Sequence, residues 1–517
     1  MVKRALAGWV VLVASPVFAQ AVVTSPKPDA VSVTVYRDPE RSGGGEIDLE
    51  DLSGFALITE TRRISVPAGA ATIRFEGVAG GIIPVSAIVT GLPGGVIQKN
   101  RDANLLSPAA LVDGSLGRRV HLKRTNRKTG VVSEDDAEII AGPVGGVIVR
   151  SKAGIEALRC SGLPETLLYD GVPAGLVATP TLSVETRSPA ATIATVQLSY
   201  LASGFDWSAN YVARVSENGK TLDLFAWLTL ANSNGESFVE ANTQAVAGTL
   251  NRDDDAADLE QDARVPELQL ACWGSRIEAP VPPPAPVAAA FESVNDIIVT
   301  AKRMDTNFQS SPVAIMAEQE ELGDLKLYRI PEPVTVAANA QKQVAMIQKS
   351  AVPFARFYTA RLYPNNAREP EASAILLRMK NTSEKGLGLP MPAGGVALFE
   401  PGGGTQLLVG ETRLRDIAVG EDVELTIGKS AQVQIALTDG DQSASNDARD
   451  IERYSVKVSN ANPAPVIVEV RLIPDAGSYT LRNASARLRS KNGDMLWTVR
   501  VPANGNAVLR YELHVVK

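Results

Sequence analysis

Apolar and polar residues alternate with a period of two over much of this chain, and that pattern restricts the fold more than any other feature. Val31, Val33 and Val35 alternate with Ser32 and Thr34 near the start. Successive side chains of a strand point to opposite faces, so this alternation is typical of short strands in antiparallel sheets. We therefore expect a mainly β fold.

Turn residues separate the alternating segments. Apolar residues alternate over 497–501, Asn504-Gly505 follows, and the alternation resumes over 509–515. Asn-Gly is a favoured hairpin turn, so these two segments are predicted to pair as a hairpin. In the same way, the strand that ends at Val66 meets the turn Pro67-Ala68-Gly69 and continues as a second alternating segment.

Helical periodicity is scarce, and the short candidates are Gly154–Arg159 and Ala317–Leu325. The predicted fold class is mainly β, with two or more antiparallel β-sandwich domains and a flexible acidic, proline-rich insertion. With 517 residues and 45% apolar content, the chain can bury two or three cores at about 100–200 residues each.

One segment, from Arg252 to about Ser293, interrupts the pattern. It contains Asp253-Asp254-Asp255 and the proline-rich run 280–286. Proline donates no hydrogen bond to a sheet, and few apolar side chains are present to be buried, so we expect a flexible loop. Cys272-Trp273 is the expected contact of this loop with the rest of the protein. The predicted organisation is a signal peptide at 1–19, an N-terminal β region at 22–180, a C-terminal β domain at 181–251 plus 322–517, and the insertion at 252–321.

The first nineteen residues have the pattern of a secretory signal peptide. Lys3 and Arg4 are basic, residues 5–18 are largely apolar, and the small residues Val17 and Ala19 precede a cleavage point after Ala19. An uncleaved anchor is disfavoured, because a membrane span needs about 20 apolar residues and no segment of the chain reaches that length. We expect a periplasmic or secreted protein that does not span the membrane.

The net charge argues against nucleic acid as a partner. Cleavage removes Lys3 and Arg4 and no acid, so 51 basic residues become 49 against 58 acidic ones and the net charge moves from −7 to −9. Binding to a phosphate backbone depends on many basic contacts, which an acidic chain supplies poorly.

The cysteine count is even and low, as an oxidising compartment allows. Cys160 and Cys272 are the candidate partners of a disulfide. Closing a loop of this length would contribute about 4–5 kcal/mol in the chain-entropy account. Two independent buried thiols are the alternative, and the sequence leaves both open.

Several stretches resemble one bacterial family. They are Tyr200–Tyr211 (YLASGFDWSANY), Gly386–Gly394 (GLGLPMPAG), and Leu408–Glu411 (LVGE) with Gly420-Glu421 and Gly428 behind it. These stretches resemble the domain of unknown function 4139, which is shared with the mucoidy-inhibitor A-like proteins. Val33–Arg37 (VTVYR) and Val66–Gly69 (VPAG) resemble the N-terminal β module of those proteins.

The resemblance implies a β-rich protein of the cell envelope with a role at the surface or in exopolysaccharide homeostasis, and it supplies no catalytic residue. One departure is the segment 97–180. Mucoidy-inhibitor-type proteins commonly place a long coiled coil between their halves, whereas this segment has the pattern of further strands.

Catalytic motifs are scarce. His121 and His514 are the two histidines, so a zinc site or a Ser-His-Asp triad would have to use one or both of them. The chain lacks a Gly-x-Ser-x-Gly elbow and a phosphate-binding loop followed by Lys-Ser/Thr. We expect no enzyme activity, cofactor or metal. Paired carboxylates for glycoside hydrolysis are the alternative that spacing along the chain leaves open.

A basic cluster provides one candidate binding surface. Its members lie in a predicted hairpin around Asn126 and are a candidate anion patch: Arg118, Arg119, Lys123, Arg124, Arg127 and Lys128. Such a patch in an acidic protein could hold an anionic envelope polymer or lipid head groups. The alternative is a solvated hairpin whose charges prevent edge-to-edge aggregation.

A second candidate follows the proline run. The segment Asp296, Ile297, Ile298, Val299, Thr300 and Ala301 resembles the TonB box, an extended segment that pairs with a partner sheet by strand addition. An internal strand is the alternative.

These observations predict an exported, non-enzymatic β-sandwich protein of the bacterial cell envelope that acts through interaction surfaces. Its partner is unknown, with envelope polysaccharide or a periplasmic protein as candidates. One alternative is a polysaccharide-binding or carbohydrate-active protein, in which an exposed Trp207 or Trp227 could stack on sugar. The other is a TonB-linked transport accessory.

Overall fold

The computed structural model confirms the predicted fold class, since strands account for 67% of the structure and helix for 3%. The described residues are 20–38, 47–102, 105–126, 129–142, 147–158, 165–173, 176–248, 316–323, 325–439, 451–473, 479–491 and 493–515. They divide into two compact units. Unit 1 contains 20–31 and Ile58–Ala202, and unit 2 contains Ser32–Leu57 together with the described residues of 203–248 and 316–515.

The first half of the chain contains sixteen described strands and one described α-helix, α1 (Pro108–Gly114). The strands are β1 (Ala21–Ser25), β2 (Ala30–Tyr36), β3 (Phe55–Val66), β4 (Gly69–Glu76), β5 (Ile88–Thr90), β6 (Gln98–Asp102), β7 (Arg119–Thr125), β8 (Val132–Ala141), β9 (Val147–Ser151), β10 (Gly154–Leu158), β11 (Glu165–Leu168), β12 (Thr181–Ser188), β13 (Thr192–Ser203), β14 (Phe205–Val215), β15 (Thr221–Asn232) and β16 (Phe238–Ala247).

The second half continues with fifteen described strands. They are β17 (Glu318–Leu322), β18 (Leu325–Arg329), β19 (Val334–Val336), β20 (Ala340–Pro353), β21 (Ala355–Leu362), β22 (Arg368–Lys380), β23 (Gly394–Gly402), β24 (Thr405–Leu414), β25 (Asp422–Asp439), β26 (Ile451–Asn460), β27 (Val466–Leu472), β28 (Tyr479–Arg482), β29 (Arg489–Lys491), β30 (Asp494–Val501) and β31 (Gly505–Val515). Short 3₁₀ turns occur at Pro84–Ser86 and Ser383–Lys385.

Unit 1 contains a β-sandwich. One sheet has the strand order β1-β4-β12-β6, and β3, β13 and β5 are neighbours in the other. Alternate residues of β3 are buried, as the period-two pattern predicts. β3 and β4 follow each other across the turn at Pro67, yet they lie in different sheets, so this turn connects the two layers and does not close a hairpin.

A smaller sheet in unit 1 has the order β10-β9-β8-β7-β11. Its core includes Val120, Leu122, Ile139 and Val149, and Val112 of α1 packs against them. The side chain of Ser107 caps α1 by accepting a 3.1 Å hydrogen bond from the amide of Ala110.

Both predicted helices are wrong, because strand pairing determines the local structure. Gly154–Leu158 is strand β10 and pairs antiparallel with β9 across a tight turn. The segment Ala317–Leu325 contains β17 and the start of β18, which pair with each other around Gly323. Gly154 and Gly323 both have positive φ angles, which suit tight turns and interrupt a helix.

Unit 2 contains a sheet with the order β20-β15-β14-β23-β24. It packs against a second sheet that includes β17-β18-β16-β2. Trp207 of β14 lies at this interface, where its indole N–H donates a 2.9 Å hydrogen bond to the carbonyl oxygen of Val246 and its ring contacts Tyr328.

A nine-stranded sheet forms the rest of unit 2, with the order β28-β31-β26-β25-β22-β21-β27-β30-β29. One core cluster contains residues from both of its halves, among them Val456 and Leu509 on one side and Val470 and Trp497 on the other. The halves therefore face each other as a sandwich.

The prediction of a hairpin at Asn504-Gly505 is wrong, because this turn connects two layers, as the turn at Pro67 does. β30 pairs with β27 and β31 pairs with β26, so the turn crosses from one half of the sandwich to the other. The strands themselves lie where the alternation placed them.

Within the described residues, we find no helix with the length and hydropathy needed to cross a membrane.

Candidate functional site

The stretches that carry the family resemblance lie on neighbouring strands of the five-stranded sheet in unit 2. β14, which contains most of 200–211, runs parallel to β23, and Ala209 faces Gly394 at the start of that pair. β23 then pairs antiparallel with β24, which contains Leu408–Glu411. A Cβ atom on Gly394 would lie 1.9 Å from the carbonyl oxygen of Ala209, so the close approach requires glycine.

Two buried tyrosines hold the segment that leads into β23, which we call the 386–394 loop. The hydroxyl of Tyr211 donates a 2.7 Å hydrogen bond to the carbonyl oxygen of Pro392, 181 residues away in the chain. The hydroxyl of Tyr328 donates a 3.2 Å bond to the carbonyl oxygen of Pro390. Both proline carbonyls are thus fixed by side chains from neighbouring strands.

Asn381 organises the other end of the 386–394 loop. Its side chain is fully buried, and its amide nitrogen donates to the carbonyl oxygens of Leu389 and Ala418, at 2.8 and 2.9 Å. Its amide oxygen accepts from the backbone amides of Gly388 and Leu389. These four hydrogen bonds satisfy the capacity of the buried amide and join the loop to Ala418.

An ion pair anchors the end of the loop. The guanidinium of Arg37 donates two hydrogen bonds to the carboxylate of Asp416, at 2.8 and 3.3 Å. The same carboxylate accepts a 2.8 Å bond from the amide of Ala393. Arg37 belongs to the N-terminal stretch that resembles the same family, so two further resembling stretches, those of Tyr211 and Arg37, are joined to this loop.

The side chains that hold the 386–394 loop have the chemistry of structural supports. Burial raises the pKa of both Tyr211 and Tyr328, and the negative charge of Asp416 raises them further. The two hydroxyls therefore stay protonated and act as hydrogen-bond donors to the loop. A neutral tyrosine that is already donating to a carbonyl has no role as a general base.

The loop leads into an exposed sheet edge. β24 is the last strand in the order of its sheet, and its residues Thr405–Val409, which we call the β24 edge, are all exposed. Leu407 and Leu408 are each 53% exposed and Val409 is 40% exposed. Three successive exposed aliphatic residues on a terminal strand are unusual, since natural edges are commonly protected by charge or proline.

β24 contains a bulge at the end of this edge. The pairing with β23 shifts register between Leu408 and Gly410, so Val409 is an extra residue in β24. Next to it, a Cβ atom on Gly410 would lie 2.1 Å from the carbonyl oxygen of Ile427 in β25. The strand thus approaches β25 closely at Gly410, and the β24 edge ends directly before that contact.

The structure distributes the predicted basic cluster over one strand of the small sheet in unit 1. On β7, Arg119 lies 3.8 Å from Asp136, Lys123 lies 3.9 Å from Glu134, and Arg124 lies 2.5 Å from Glu156. Arg118 immediately precedes the strand and is exposed, and Arg127 and Lys128 lie outside the described residues. The sequence contains the signal for this pairing, because the acidic run 134–138 follows the basic run and a hairpin places the two opposite each other.

Of the remaining candidates from the sequence, the two tryptophans are described and the others fall outside the described residues. Trp207 is fully buried and cannot stack on a sugar, whereas Trp227 is half-buried against Phe225. Cys160, Cys272 and the segment 296–301 lie outside the described residues, as does the predicted insertion apart from 316–321.

The two histidines occupy different surroundings. His121 contacts two carboxylates on the exposed face of β7, with Nδ1 2.9 Å from Asp136 and Nε2 3.1 Å from Asp170. His514 of β31 lies 3.4 Å from Glu512. In the part of the chain that the structure describes, no group of three histidine, cysteine, aspartate or glutamate residues could hold a metal ion.

Sequence analysis missed a buried charged network in unit 1. Glu60 and Arg62 of β3 are fully buried, and the Nε atom of Arg62 donates a 2.8 Å hydrogen bond to Glu60. Tyr200 donates a 2.7 Å bond to the other carboxylate oxygen. The sequence contained a signal for it: Glu60 and Arg62 are even-numbered, like the apolar Ile58 and Ile64, so the alternation places them on the same buried face of β3.

A polar pocket of about 500 Å³ lies in unit 2. Hydroxyl and amide groups from Ser32, Thr243 and Gln244 line it, together with Arg329, which bonds to Glu320. Its lining contains no aromatic side chain.

Comparison with known proteins adds no assignment. No family model matches the chain. A search of curated proteins also finds no match.

Proposed function

We propose that this chain is an exported, non-enzymatic protein of the bacterial cell envelope that binds an extended segment of a partner protein at the β24 edge. The observation that carries the proposal is the run Leu407, Leu408 and Val409, exposed on a terminal strand. A partner segment would add to the sheet as a further strand and would cover these side chains.

The composition of the β24 edge supports this interpretation. Residues 405–409 contain neither charge nor proline. By contrast, β17 is also terminal in its sheet order, and its exposed residues include Glu318, Glu320 and Glu321. Charge of this kind prevents unwanted pairing, so its absence from the β24 edge favours an edge that a partner covers.

The supports of β23 are consistent with a preformed binding edge. The 386–394 loop, which leads into β23, is fixed by Tyr211, Asn381 and Asp416. β23 in turn carries β24. A rigid edge loses little conformational entropy on binding, which favours affinity.

The envelope location and the family assignment belong to the same proposal. The basic and apolar segments of 1–19 support export. The adjacency of the stretches that resemble the domain of unknown function 4139 supports membership of that family.

Site-specific photo-crosslinking tests the proposed function. A photoreactive residue at position 408 should capture one partner protein in intact cells, with the crosslinks mapping to one extended segment. The same probe at the exposed Val239, which is also in unit 2, is the matched control and should not capture that segment.

Variants sharpen this test. Leu408→Lys places a charge in the edge and should abolish capture by a probe at position 407, whereas Val239→Lys should leave it intact. Capture that survives Leu408→Lys, or capture by the control position alone, would contradict the proposal.

Polysaccharide binding is a second candidate, which the polar pocket around Gln244 favours. Hydroxyl and amide side chains bind sugar hydroxyls, although an aromatic platform is lacking there. Retention of envelope polysaccharide by the purified protein, reduced at least tenfold by Gln244→Ala, is the expected result. Equal retention by the variant would exclude this pocket.

A further inference from the structure

The C-terminal sandwich of unit 2 contains a pocket at one end of its core. Its volume is about 160 Å³. Four strands contribute to the lining, and the turn after β21 closes one side through Pro364 and Asn365.

The floor of this pocket is apolar. Leu472 of β27 and Leu513 of β31 are buried members of the core cluster. Tyr479 and Leu481 of β28 and Met495 of β30 pack against that cluster and complete the wall. The exposed residues Asn365 and Thr480 provide polar groups at the rim.

The backbone carbonyls of the adjoining turn are already engaged. Tyr511 donates a 2.7 Å hydrogen bond to the carbonyl oxygen of Pro364. Tyr454 donates a 3.3 Å bond to the carbonyl oxygen of Asn365. These contacts leave the floor to hydrocarbon side chains, and such a space holds water poorly because a water molecule needs two to four polar partners.

Size restricts the occupant. Pockets for drug-sized molecules and cofactors have volumes of about 300–1,000 Å³, so a nucleotide or a large cofactor does not fit. An apolar protein cavity of about 150 Å³ stays dry and binds benzene. The pocket in this protein is nearly the same size.

We infer that the pocket between β27, β28, β30 and β31 binds a small aromatic or branched aliphatic molecule, with any polar group of the ligand directed to Asn365 and Thr480. The inference is independent of the β24 edge, because it depends on a different sheet and a different set of residues.

Calorimetric titration of the full chain with benzene and phenol tests the inference. Both probes should bind saturably with one site. Leu481→Trp fills the pocket and should weaken binding of both at least tenfold. Arg482→Trp places the same side chain on the exposed neighbouring position of β28 and should leave both affinities within twofold.

Two results would overturn the inference. One is the lack of saturable binding of either probe to the unsubstituted protein. The other is equal weakening by Leu481→Trp and Arg482→Trp. Should Leu481→Trp lose its cooperative thermal transition, Leu481→Phe replaces it, with at least a threefold loss expected and unchanged affinity counting against the inference.

Discussion

The hydroxyl of Tyr211 on β14 donates a 2.7 Å hydrogen bond to the carbonyl oxygen of Pro392, at the point where the chain enters β23. β23 pairs with β24, so this bond from a buried side chain helps to position an exposed sheet edge. The interior of unit 2 thereby supports the surface that we propose as a binding site.

Removing this hydroxyl should destabilise unit 2. Tyr211→Phe leaves the carbonyl oxygen of Pro392 without that donor, and an unsatisfied buried group costs about 1–3 kcal/mol. Urea unfolding should show a lower midpoint with an unchanged slope. Tyr363→Phe, at an exposed tyrosine of the same unit, is the control and should change the free energy of unfolding by less than about 0.5 kcal/mol. Equal effects of the two substitutions would contradict a supporting role for the bond.

The buried pair of Glu60 and Arg62 should be sensitive to loss of one partner. Arg62→Leu leaves the Glu60 carboxylate buried without its cation, and breaking such a pair typically costs about 3–5 kcal/mol. The neighbouring Arg63→Leu is exposed and should have little effect. Chemical unfolding of both variants gives the comparison, and a difference below about 1 kcal/mol would show that the pair contributes little to unit 1.

His121 should titrate above the ordinary histidine range. Hydrogen bonds to Asp136 and then Asp170 raise its pKa from the ordinary value of 6.5. The protonated ring is favoured in the folded protein, so its stabilisation is fully present below pH 6.5 and is lost as the pH rises through the folded-state pKa.

Nuclear magnetic resonance titration of the imidazole signals measures this pKa, and His514→Gln assigns the two signals of the chain. The double variant Asp136→Asn, Asp170→Asn should lower the pKa of His121. A pKa at or below 6.5 in the unsubstituted protein would contradict the contacts described for β7.

Ala351 should gain from substitution by glycine. It has a φ angle of 55° at an irregularity in the pairing of β20 with β15, and a non-glycine residue is strained in this region. Ala351→Gly relieves about 1–2 kcal/mol of left-handed strain. The more flexible unfolded chain offsets about 0.4–1 kcal/mol of this gain, so the free energy of unfolding should rise by up to about 1 kcal/mol. Ala355→Gly, at the start of β21, should lower it. A loss of stability in Ala351→Gly would show that the positive φ angle carries no strain.

Local pattern predicted the strands of this protein far better than their partners. The alternation over 497–501 and 509–515 marks β30 and β31 correctly, but pairing with β27 and β26 depends on which layers bury the apolar faces. A turn such as Asn504-Gly505 suits a hairpin and also suits a crossing between layers. Similarly, residues 32–57 group with unit 2 although they occur early in the chain, and no local signal indicates this.

The candidate site was partly visible in the sequence. The stretches around Tyr211, Gly394 and Gly410 were noted separately, and tertiary structure brings them together. Asn381, Tyr328 and Asp416 were missed because single polar residues between strands have no distinctive spacing. The exposure of Leu407 and Leu408 was also invisible, since an aliphatic run in a strand is more often buried.

Amide hydrogen exchange of the β24 edge tests the central claim most directly. Within residues 405–409, the amides that point away from β23 should exchange rapidly in the isolated protein and at least tenfold more slowly once the crosslinked partner segment, or a synthetic peptide of its sequence, is bound. Slow exchange in the isolated protein, at rates like those of β14, or unchanged rates in the complex would contradict strand addition at this edge.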